Sequence, residues 1–267
     1  MSLIKTSVGL DWHVDCEGTG VPLVFIHGWG VDSRIWRQQV KHFSKKFKVI
    51  AIDLPGHGKS SWRQVNLQMM AEGLKEVCDQ LNLKGCIFVG SSFGGMLSLK
   101  LFSVAPDLFE KMVFVGSTPK FSKSEDYPHG LDIDKIRKLD GQVEHDYPGI
   151  INVFFRSLFT KEERSTRRYK WLQKFKRTDA APMKPALRAY LDILERADLR
   201  DVLPSLRLPT QFITGREDTI CNAGTVAFLQ RLCPCAQFDF FEKCGHFPFL
   251  SQPHEFNEVL EGFLTAE

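Results

Sequence analysis

The sequence predicts an α/β fold in which a mostly parallel central sheet is flanked by helices and a helical segment is inserted. Short continuous apolar runs recur along the chain, and helical patterns separate most of them, which is typical of a buried parallel sheet. The alternation stops after residue 119 and resumes at residue 186, and this gap predicts the insertion. The chain of 267 residues, 43% of them hydrophobic, is long enough to bury a sizeable core.

The predicted elements follow one another in a regular order. Residues 3–16 alternate weakly and predict an edge hairpin. Buried strands are predicted at 22–26, 48–54, 86–91, 112–116, 210–214 and 237–241, and helices at 65–82, from the third buried strand to about 105, and at 186–197, 222–232 and 253–264. We therefore expect a core formed by 1–119 and 186–267. Residues 120–185 are expected to form a helical cap over the carboxyl ends of the strands, where open α/β sheets place their sites.

A serine framed by glycines follows the third buried strand. The motif G-x-S-x-G spans residues 90–94, between an apolar strand pattern and a helical pattern, which is the context of a nucleophile elbow. The residue on such a sharp turn needs neighbours almost without side chains two positions away, because those positions are crowded. Gly90 and Gly94 meet this need for Ser92, whereas Ser91 is framed by bulkier residues. We predict Ser92 as the nucleophile.

A serine hydroxyl attacks efficiently only when a base removes its proton, and an acid must hold that base in the right tautomer. With this type of elbow the chain order is serine, acid, histidine. Two histidines lie beyond residue 220. His246 follows the last predicted strand on a glycine-containing loop, whereas His254 falls in the first turn of the last predicted helix. We predict His246 as the base and a surface position for His254.

The acid is expected directly after the preceding strand. Asp218 lies three residues past Gly215, where the strand at 210–214 ends. Glu217 beside it is the neighbouring alternative. Asp201 and Asp239 lie before and within predicted strands, so structural roles are expected for them. We predict Asp218 as the acid.

Backbone N–H groups should stabilise the negative charge that develops on the substrate oxygen. Phe93 follows the nucleophile and begins a helix, whose dipole favours negative charge. Trp29 lies in the loop after the first buried strand and is predicted as the second donor. His27 and His57 do not fit the expected order of catalytic residues. They are expected to hold turns together by hydrogen bonds.

Taken together, these motifs resemble those of the α/β-hydrolases. The resemblance is carried by His27-Gly28-Trp29-Gly30, Asp53-Leu54-Pro55-Gly56-His57-Gly58, Gly90-Ser91-Ser92-Phe93-Gly94-Gly95, Gly215-x-x-Asp218 and Gly245-His246. They cover the predicted core and are specific for the superfamily rather than for a substrate. The α/β-hydrolase fold is therefore the fold class that the resemblance implies.

Further stretches are similar to the pimeloyl-[acyl-carrier protein] methyl ester esterase family of biotin synthesis. They are Ser117-Thr118-Pro119-Lys120-Phe121-Ser122 with Tyr127-Pro128, Leu191-Asp192-Ile193-Leu194 leading to Asp198-Leu199-Arg200, and His246-Phe247-Pro248-Phe249-Leu250-Ser251. The similarity runs nearly end to end and is loosest in the predicted cap. One departure is Ser91, where that family commonly has a tryptophan before the nucleophile.

This similarity implies an enzyme that cleaves a methyl ester from a pimeloyl chain still attached to its carrier protein. It also implies that Trp29 and Phe93 supply the oxyanion N–H groups. It further implies that a cap helix lines the acyl channel. The substrate-binding residues would then be Ser92 and His246 together with Phe154, Phe155, Arg156, Ser157 and Leu158 of that helix.

The predicted cap is strongly basic between residues 161 and 177. This stretch has eight basic and two acidic side chains in a chain whose net charge is +3. A basic cap over an active site would steer an acidic partner such as acyl carrier protein by complementary charge. The side chains expected to dock it are Arg164, Arg167, Arg168, Lys170 and Lys174. A solvated helix face is the alternative interpretation of the same charges.

The predicted function is therefore that of a serine carboxylesterase acting on pimeloyl-acyl-carrier protein methyl ester. A general short-chain carboxylesterase without carrier preference is the first alternative, and a non-catalytic ligand receptor on the same scaffold is the second. No cofactor or metal is expected, because Cys233-Pro234-Cys235 has no second pair of ligands at zinc-type spacing. No nucleic-acid motif accompanies the basic stretch, so no nucleic-acid partner is expected.

The cysteines and the N-terminal segment predict where the protein works. The seven cysteines are scattered and odd in number, so reduced core thiols are expected. The first residues lack the apolar core of a signal peptide, and no run approaches membrane-spanning length. A cytoplasmic enzyme with no membrane partner is the expectation.

Overall fold

The computed structural model describes residues 2–175 and 181–266, and an eight-stranded sheet runs through the middle of this part of the chain. Its strands are β1 (Ser2–Lys5), β2 (Asp11–Glu17), β3 (Pro22–Ile26), β4 (Lys48–Ile52), β5 (Cys86–Ser91), β6 (Phe109–Val115), β7 (Thr210–Gly215) and β8 (Gln237–Phe241). Their order across the sheet is β1-β2-β4-β3-β5-β6-β7-β8. The two pairs that involve β2 are antiparallel, and all the others are parallel.

The described helices connect these strands and cover both faces of the sheet. They are α1 (Arg37–Phe43), α2 (Leu67–Gln80), α3 (Phe93–Val104), α4 (Ile133–His145), α5 (Gly149–Ser157), α6 (Lys161–Ser165), α7 (Arg167–Phe175), α8 (Lys184–Arg196), α9 (Ala223–Leu232), α10 (Pro248–Ser251) and α11 (Pro253–Thr265). Among the described residues, none of the helices combines the length and the apolar character that crossing a membrane would require.

The apolar runs of the sequence become strands that are buried on both faces. Along β3, Val24 and Ile26 point into one hydrophobic cluster, while Leu23 and Phe25 point into the other. Central strand β5 is buried over its whole length. These two clusters hold the sheet between two helical layers, as expected for a parallel sheet covered on both sides.

The long connection from β6 to β7 contains the inserted helices. The predicted cap, 120–185, includes α4 to α7, and its end falls in the first turn of α8. Helix α8 packs against α4 and is tied to it by ion pairs from Arg188 to Asp140 (2.7 Å) and to Glu144 (2.9 Å). Helix α8, which was predicted as part of the core, therefore also contacts the cap through α4.

The predicted order of the strands and of the core helices is confirmed, with two additional helices outside the cap. Helices α1 and α10 were not predicted from the sequence, because seven and four residues are too short to show a helical period. The hairpin predicted at 3–16 is formed by β1 and β2, with β1 at the edge of the sheet.

Candidate active site

Ser92 lies on a strained turn between β5 and α3. Its φ is +52° and its ψ is −118°, in the left-handed half of backbone space that residues with a side chain seldom adopt. Two hydrogen bonds hold it there: its N–H donates to the carbonyl of Val115 (2.9 Å), and the hydroxyl of Ser117 donates to its carbonyl (2.6 Å). The turn thus sets the Ser92 side chain at the carboxyl end of the sheet.

The two glycines around Ser92 are required by close backbone contacts. A Cβ atom at Gly90 would lie 2.5 Å from the Cα of Gly95, and one at Gly94 would lie 2.4 Å from the carbonyl oxygen of Ile26. The crowding predicted around the elbow is therefore present. For Gly94 the obstructing backbone belongs to β3 rather than to the elbow itself.

His246 and Asp218 form a buried pair. The Nδ1 atom of His246 lies 2.8 Å from Oδ2 of Asp218, and the exposed fractions of the two side chains are 3% and 0%. The other carboxylate oxygen accepts the N–H groups of Ile220 (2.7 Å) and Cys221 (3.1 Å). Because Nδ1 is engaged by the carboxylate, Nε2 is the imidazole nitrogen left to act on a neighbour.

Ser92 and His246 line the same cavity, so the structure brings the three predicted catalytic residues together. The alternatives lie elsewhere. Glu217 and His254 are exposed. Asp239 accepts hydrogen bonds from the side-chain amides of Gln211 and Gln237 (2.8 Å each) within the sheet.

The loop after β3 passes directly over Ser92. A Cβ atom at Gly28 would lie 3.1 Å from Cβ of Ser92. The backbone of Gly28, the residue before Trp29, is therefore close to the serine. Trp29 is buried, lines the cavity, and donates its indole N–H to the carbonyl of Leu187 (2.9 Å). Phe93 is the first residue of α3, where a helical N–H has no partner within the helix.

Two buried histidines hold this loop in place. His57 Nε2 accepts the N–H of Gly30 (3.3 Å), and His27 Nδ1 donates to the carbonyl of Gly28 (2.8 Å) while its Nε2 accepts the N–H of Leu54 (2.9 Å). Burial lowers the pKa of both histidines, that of His57 to about 3. Both are therefore neutral, and they hold turns together as the sequence predicts.

The cavity beside Ser92 has a volume of about 290 Å³ and is mostly apolar. Much of its wall comes from two cap helices and from α8: Ile136 and Leu139 of α4, Phe154 of α5, and Leu191 and Leu194 of α8. Lys135 and Thr219 also line it and are exposed, which marks its opening. The α4 and α8 residues are not among the predicted lining residues, although each pair is spaced three apart, as on one face of a helix.

The prediction for the acyl channel is corrected by the rotation of α5. Phe154 and Leu158 line the cavity, and the ring of Phe154 meets that of Trp29 edge-on at 4.8 Å. Phe155 instead packs in the core against Phe159 and Phe247. Arg156 and Ser157 are exposed, because this short helix turns only one face to the cavity.

Only some of the basic side chains of the cap are exposed to solvent. Lys161, Arg167 and Lys170 are exposed, and Arg164 is half-buried. Arg168 does not fit the predicted docking role, because its guanidinium Nε donates to the carbonyl of Leu250 and burial lowers its pKa. The side chain of Lys174, like residues Lys176 and Arg177, lies outside the described part of the chain.

The cysteines are only partly core residues. All seven are free thiols, and Cys78, Cys86, Cys221 and Cys244 are buried as predicted. Cys16 and Cys235 are exposed and Cys233 is half-buried, so these three do not belong to the core. Within residues 2–175 and 181–266, no three His, Cys, Asp or Glu side chains gather as a metal site would need.

A family model and a curated relative both match most of the chain. The family model for the alpha/beta hydrolase fold matches residues 21–253. The chain is 33% identical over 244 residues to a pimeloyl-[acyl-carrier protein] methyl ester esterase from Nitrosomonas europaea, which covers 91% of this chain and 96% of that protein.

Solved structures share the same fold. An esterase from Exiguobacterium antarcticum superposes with a TM-score of 0.91 at 24% identity, over 99% of both chains. A bromoperoxidase from Bacillus anthracis gives a TM-score of 0.90 at 26% identity, over 99% of this chain and all of the other. Because the family model matches most of the chain, residues 21–253, the chain belongs to the α/β-hydrolase family.

Proposed function

We propose that the protein is a serine carboxylesterase that hydrolyses the methyl ester of pimeloyl-acyl-carrier protein during synthesis of the biotin precursor. The observation that carries the proposal is the full-length similarity to an esterase with that substrate in its name, joined to a serine and a histidine that share one apolar cavity. Esterases among both the sequence relatives and the structural neighbours support the broader class, a carboxylesterase.

In the proposed reaction Ser92 attacks the ester carbonyl while Nε2 of His246 removes its proton. Asp218 holds the imidazole by its 2.8 Å contact at Nδ1 and stabilises the positive charge that forms on it. The N–H groups of Phe93 and Trp29 bind the oxygen of the tetrahedral intermediate, since Phe93 follows Ser92 in the chain and Trp29 lines the same cavity.

The leaving group and the second half of the reaction use the same residues. His246 gives its proton to the methoxy oxygen, methanol departs, and an acyl-enzyme remains on Ser92. Water, activated by His246, then attacks the acyl-enzyme and releases the carboxylate. The fixed Asp218 contact lets the imidazole serve in turn as base and acid.

The cavity fits a linear aliphatic acyl chain. Leucine, isoleucine and phenylalanine side chains of α4, α5 and α8 bound it, and each methylene group buried there contributes about 0.8 kcal/mol. Lys135 and Thr219 at its opening leave a path to solvent, which a chain still attached to a carrier requires.

The carrier is proposed to dock on basic side chains of α6 and α7 that are exposed or, for Arg164, half-buried. We call Lys161, Arg164, Arg167 and Lys170 the cap basic surface. Acyl carrier proteins are acidic, so complementary charge would raise the association rate, and salt would screen the effect. Arg168 is left out of this surface because it is committed to the carbonyl of Leu250.

The test compares hydrolysis of pimeloyl-carrier-protein methyl ester with that of free pimeloyl methyl ester, at low and at high salt. We expect a higher kcat/KM for the carrier-bound ester, with the advantage lost at high salt. The variant Arg167→Glu/Lys170→Glu should lose the advantage and keep activity on the free ester. The matched control is Lys45→Glu/Lys84→Glu, because these exposed lysines lie just before the amino ends of β4 and β5 and undergo the same charge change.

Equal rates on the two esters would contradict carrier recognition and identify a general short-chain carboxylesterase. Absence of any turnover, together with failure of a fluorophosphonate to label Ser92, would contradict the enzyme itself and leave a ligand receptor on a hydrolase scaffold. The two results are separable because labelling requires no carrier.

A further inference from the structure

The loop that carries His246 is held by the cap. The N–H of His246 donates to the carbonyl of Leu158 (2.8 Å), and the N–H of Gly245 donates to Oε2 of Glu163 (3.1 Å). Leu158 and Glu163 lie on either side of the turn between α5 and α6. One short cap segment therefore supplies both acceptors for consecutive N–H groups at the proposed base.

Glu163 is an unusual residue to find buried, with 8% of its surface exposed. It occupies the third position of α6, where its Oε2 also accepts the N–H of Thr160 (2.6 Å) and its own N–H donates to the hydroxyl of Thr160 (3.0 Å). This capping box fixes the carboxylate within the cap. The same oxygen then reaches across to Gly245, in the core.

The opposite side of the loop is closed by the β7 turn that carries Asp218. A Cβ atom at Gly215 would lie 2.0 Å from the carbonyl oxygen of Gly245, and the N–H of Glu217 donates to the carbonyl of Cys244 (2.9 Å). A Cβ atom at Gly245 would lie 2.3 Å from the carbonyl oxygen of Leu158. The loop is thus packed between the turn that carries Asp218 and the cap. Glu163 supplies the side-chain contact from the cap to this loop.

We propose that Glu163 is a positioning residue for the reaction, which acts by fixing the His246 loop against the Asp218 turn. The inference rests on the proposed function, in which His246 is the base. Lys161 and Arg164 of the cap basic surface flank Glu163 on the five-residue helix α6.

A simple helix-capping role for Glu163 makes a different prediction. Loss of either partner of a capping box weakens the start of the helix. Thr160→Ala removes the hydroxyl that accepts the N–H of Glu163 and leaves the contact to Gly245 in place. Glu163→Ala removes both. If capping alone matters, the two variants behave alike.

The experiment measures kcat and KM on a free methyl ester, and the downfield proton resonance of the His246–Asp218 hydrogen bond. For Glu163→Ala we expect kcat to fall by about tenfold to a hundredfold with little change in KM, because a small displacement of a catalytic group costs this much. The resonance should shift or broaden. Thr160→Ala should keep the wild-type kcat and resonance.

Glu163→Gln is the rescue variant, because its amide oxygen can accept both N–H groups. Glu163 also lines a cavity of about 200 Å³ with Ser251 and Gln252, which leaves room for the amide nitrogen. We expect kcat and the resonance to return towards wild type. If Glu163→Ala does not fold, Glu163→Asp replaces it, since the shorter carboxylate withdraws from Gly245.

Equal kcat values and unmoved resonances in Glu163→Ala and Thr160→Ala would overturn the inference. His246→Ala separates this failure from failure of the proposed function. If His246→Ala is inactive while Glu163→Ala matches wild type, only the positioning role is wrong. If His246→Ala retains full activity, the proposed mechanism is wrong as well.

Discussion

Oδ2 of Asp218 lies 2.8 Å from Nδ1 of His246, while Oδ1 of the same carboxylate accepts two backbone N–H groups from the turn that follows. Both oxygens are thus committed, one to the imidazole and one to the backbone. Because the backbone bonds fix the orientation of the carboxylate, the imidazole is held as the tautomer that carries its proton on Nδ1.

Replacement of Asp218 by asparagine tests this arrangement. The amide has nearly the same shape but can present an N–H to Nδ1, which favours the wrong tautomer of His246. We expect kcat on a free methyl ester to fall by about 10⁴-fold with the fold retained. Asp239→Asn is the control, since Asp239 bonds glutamine side chains in the sheet. Similar rates in both variants would argue against the role of Asp218.

The assignment of the nucleophile is tested by comparing two adjacent serines. Ser92→Ala should lower kcat by about 10⁴-fold or more and abolish labelling by a fluorophosphonate. Ser91→Ala should retain activity, because the Ser91 side chain is fully buried in β5. Labelling that persists in Ser92→Ala would place the reactive group elsewhere.

Because backbone atoms crowd Gly94, an alanine at this position should destabilise the protein. An alanine at a helical glycine with open space around it should not. A Cβ atom at Gly94 would meet the backbone oxygens of Ile26 (2.4 Å) and His27 (2.6 Å), so Gly94→Ala should lower the free energy of unfolding by about 1–3 kcal/mol or more. Gly141, in the interior of α4, has nothing within 4 Å of its Cβ position, and Gly141→Ala should raise stability by about 0.5–1 kcal/mol. Urea unfolding measures both, and equal effects of one sign would contradict the contact.

Acid should destabilise the fold through His57. Burial lowers its pKa from 6.5 to about 3. At pH values between these two, His57 is protonated in the unfolded chain and neutral in the folded chain. The stability linked to His57 is complete above pH 6.5 and is lost as the pH falls, by about 2 kcal/mol at pH 5. His57→Gln removes this titration while His27 remains, and its free energy of unfolding should depend less on pH. An unchanged pH slope would contradict the buried neutral state.

The core and the predicted catalytic residues followed from local sequence signals, and the cap did not. Glycine spacing predicts Ser92 at the elbow, and strand ends predict Asp218 and His246 near it, because in this fold the carboxyl ends of neighbouring parallel strands meet at one edge. Each of these signals is contained within a few residues. The physical demand on a sharp turn or a strand end does not depend on distant packing.

Cap residues depend on which way each helix is turned, and that is decided by distant partners. Phe155 was expected in the acyl channel, but its ring is drawn into the core by Phe247, which lies far along the sequence. Arg168 was expected in the docking surface, yet the carbonyl of Leu250 holds it. Neither partner is visible in the local pattern, because both contacts cross from the cap to the segment after β8.

The hydrogen bonds that the His246 loop donates to Leu158 and Glu163 limit how this enzyme can diverge. An insertion between two neighbouring strands is commonly regarded as an exchangeable module that changes substrate preference and spares the chemistry. Here a transplanted cap would also have to bring two acceptors for the N–H groups of Gly245 and His246. If Glu163 positions the base as proposed, chimeras that lack these two acceptors should fold and yet turn over slowly.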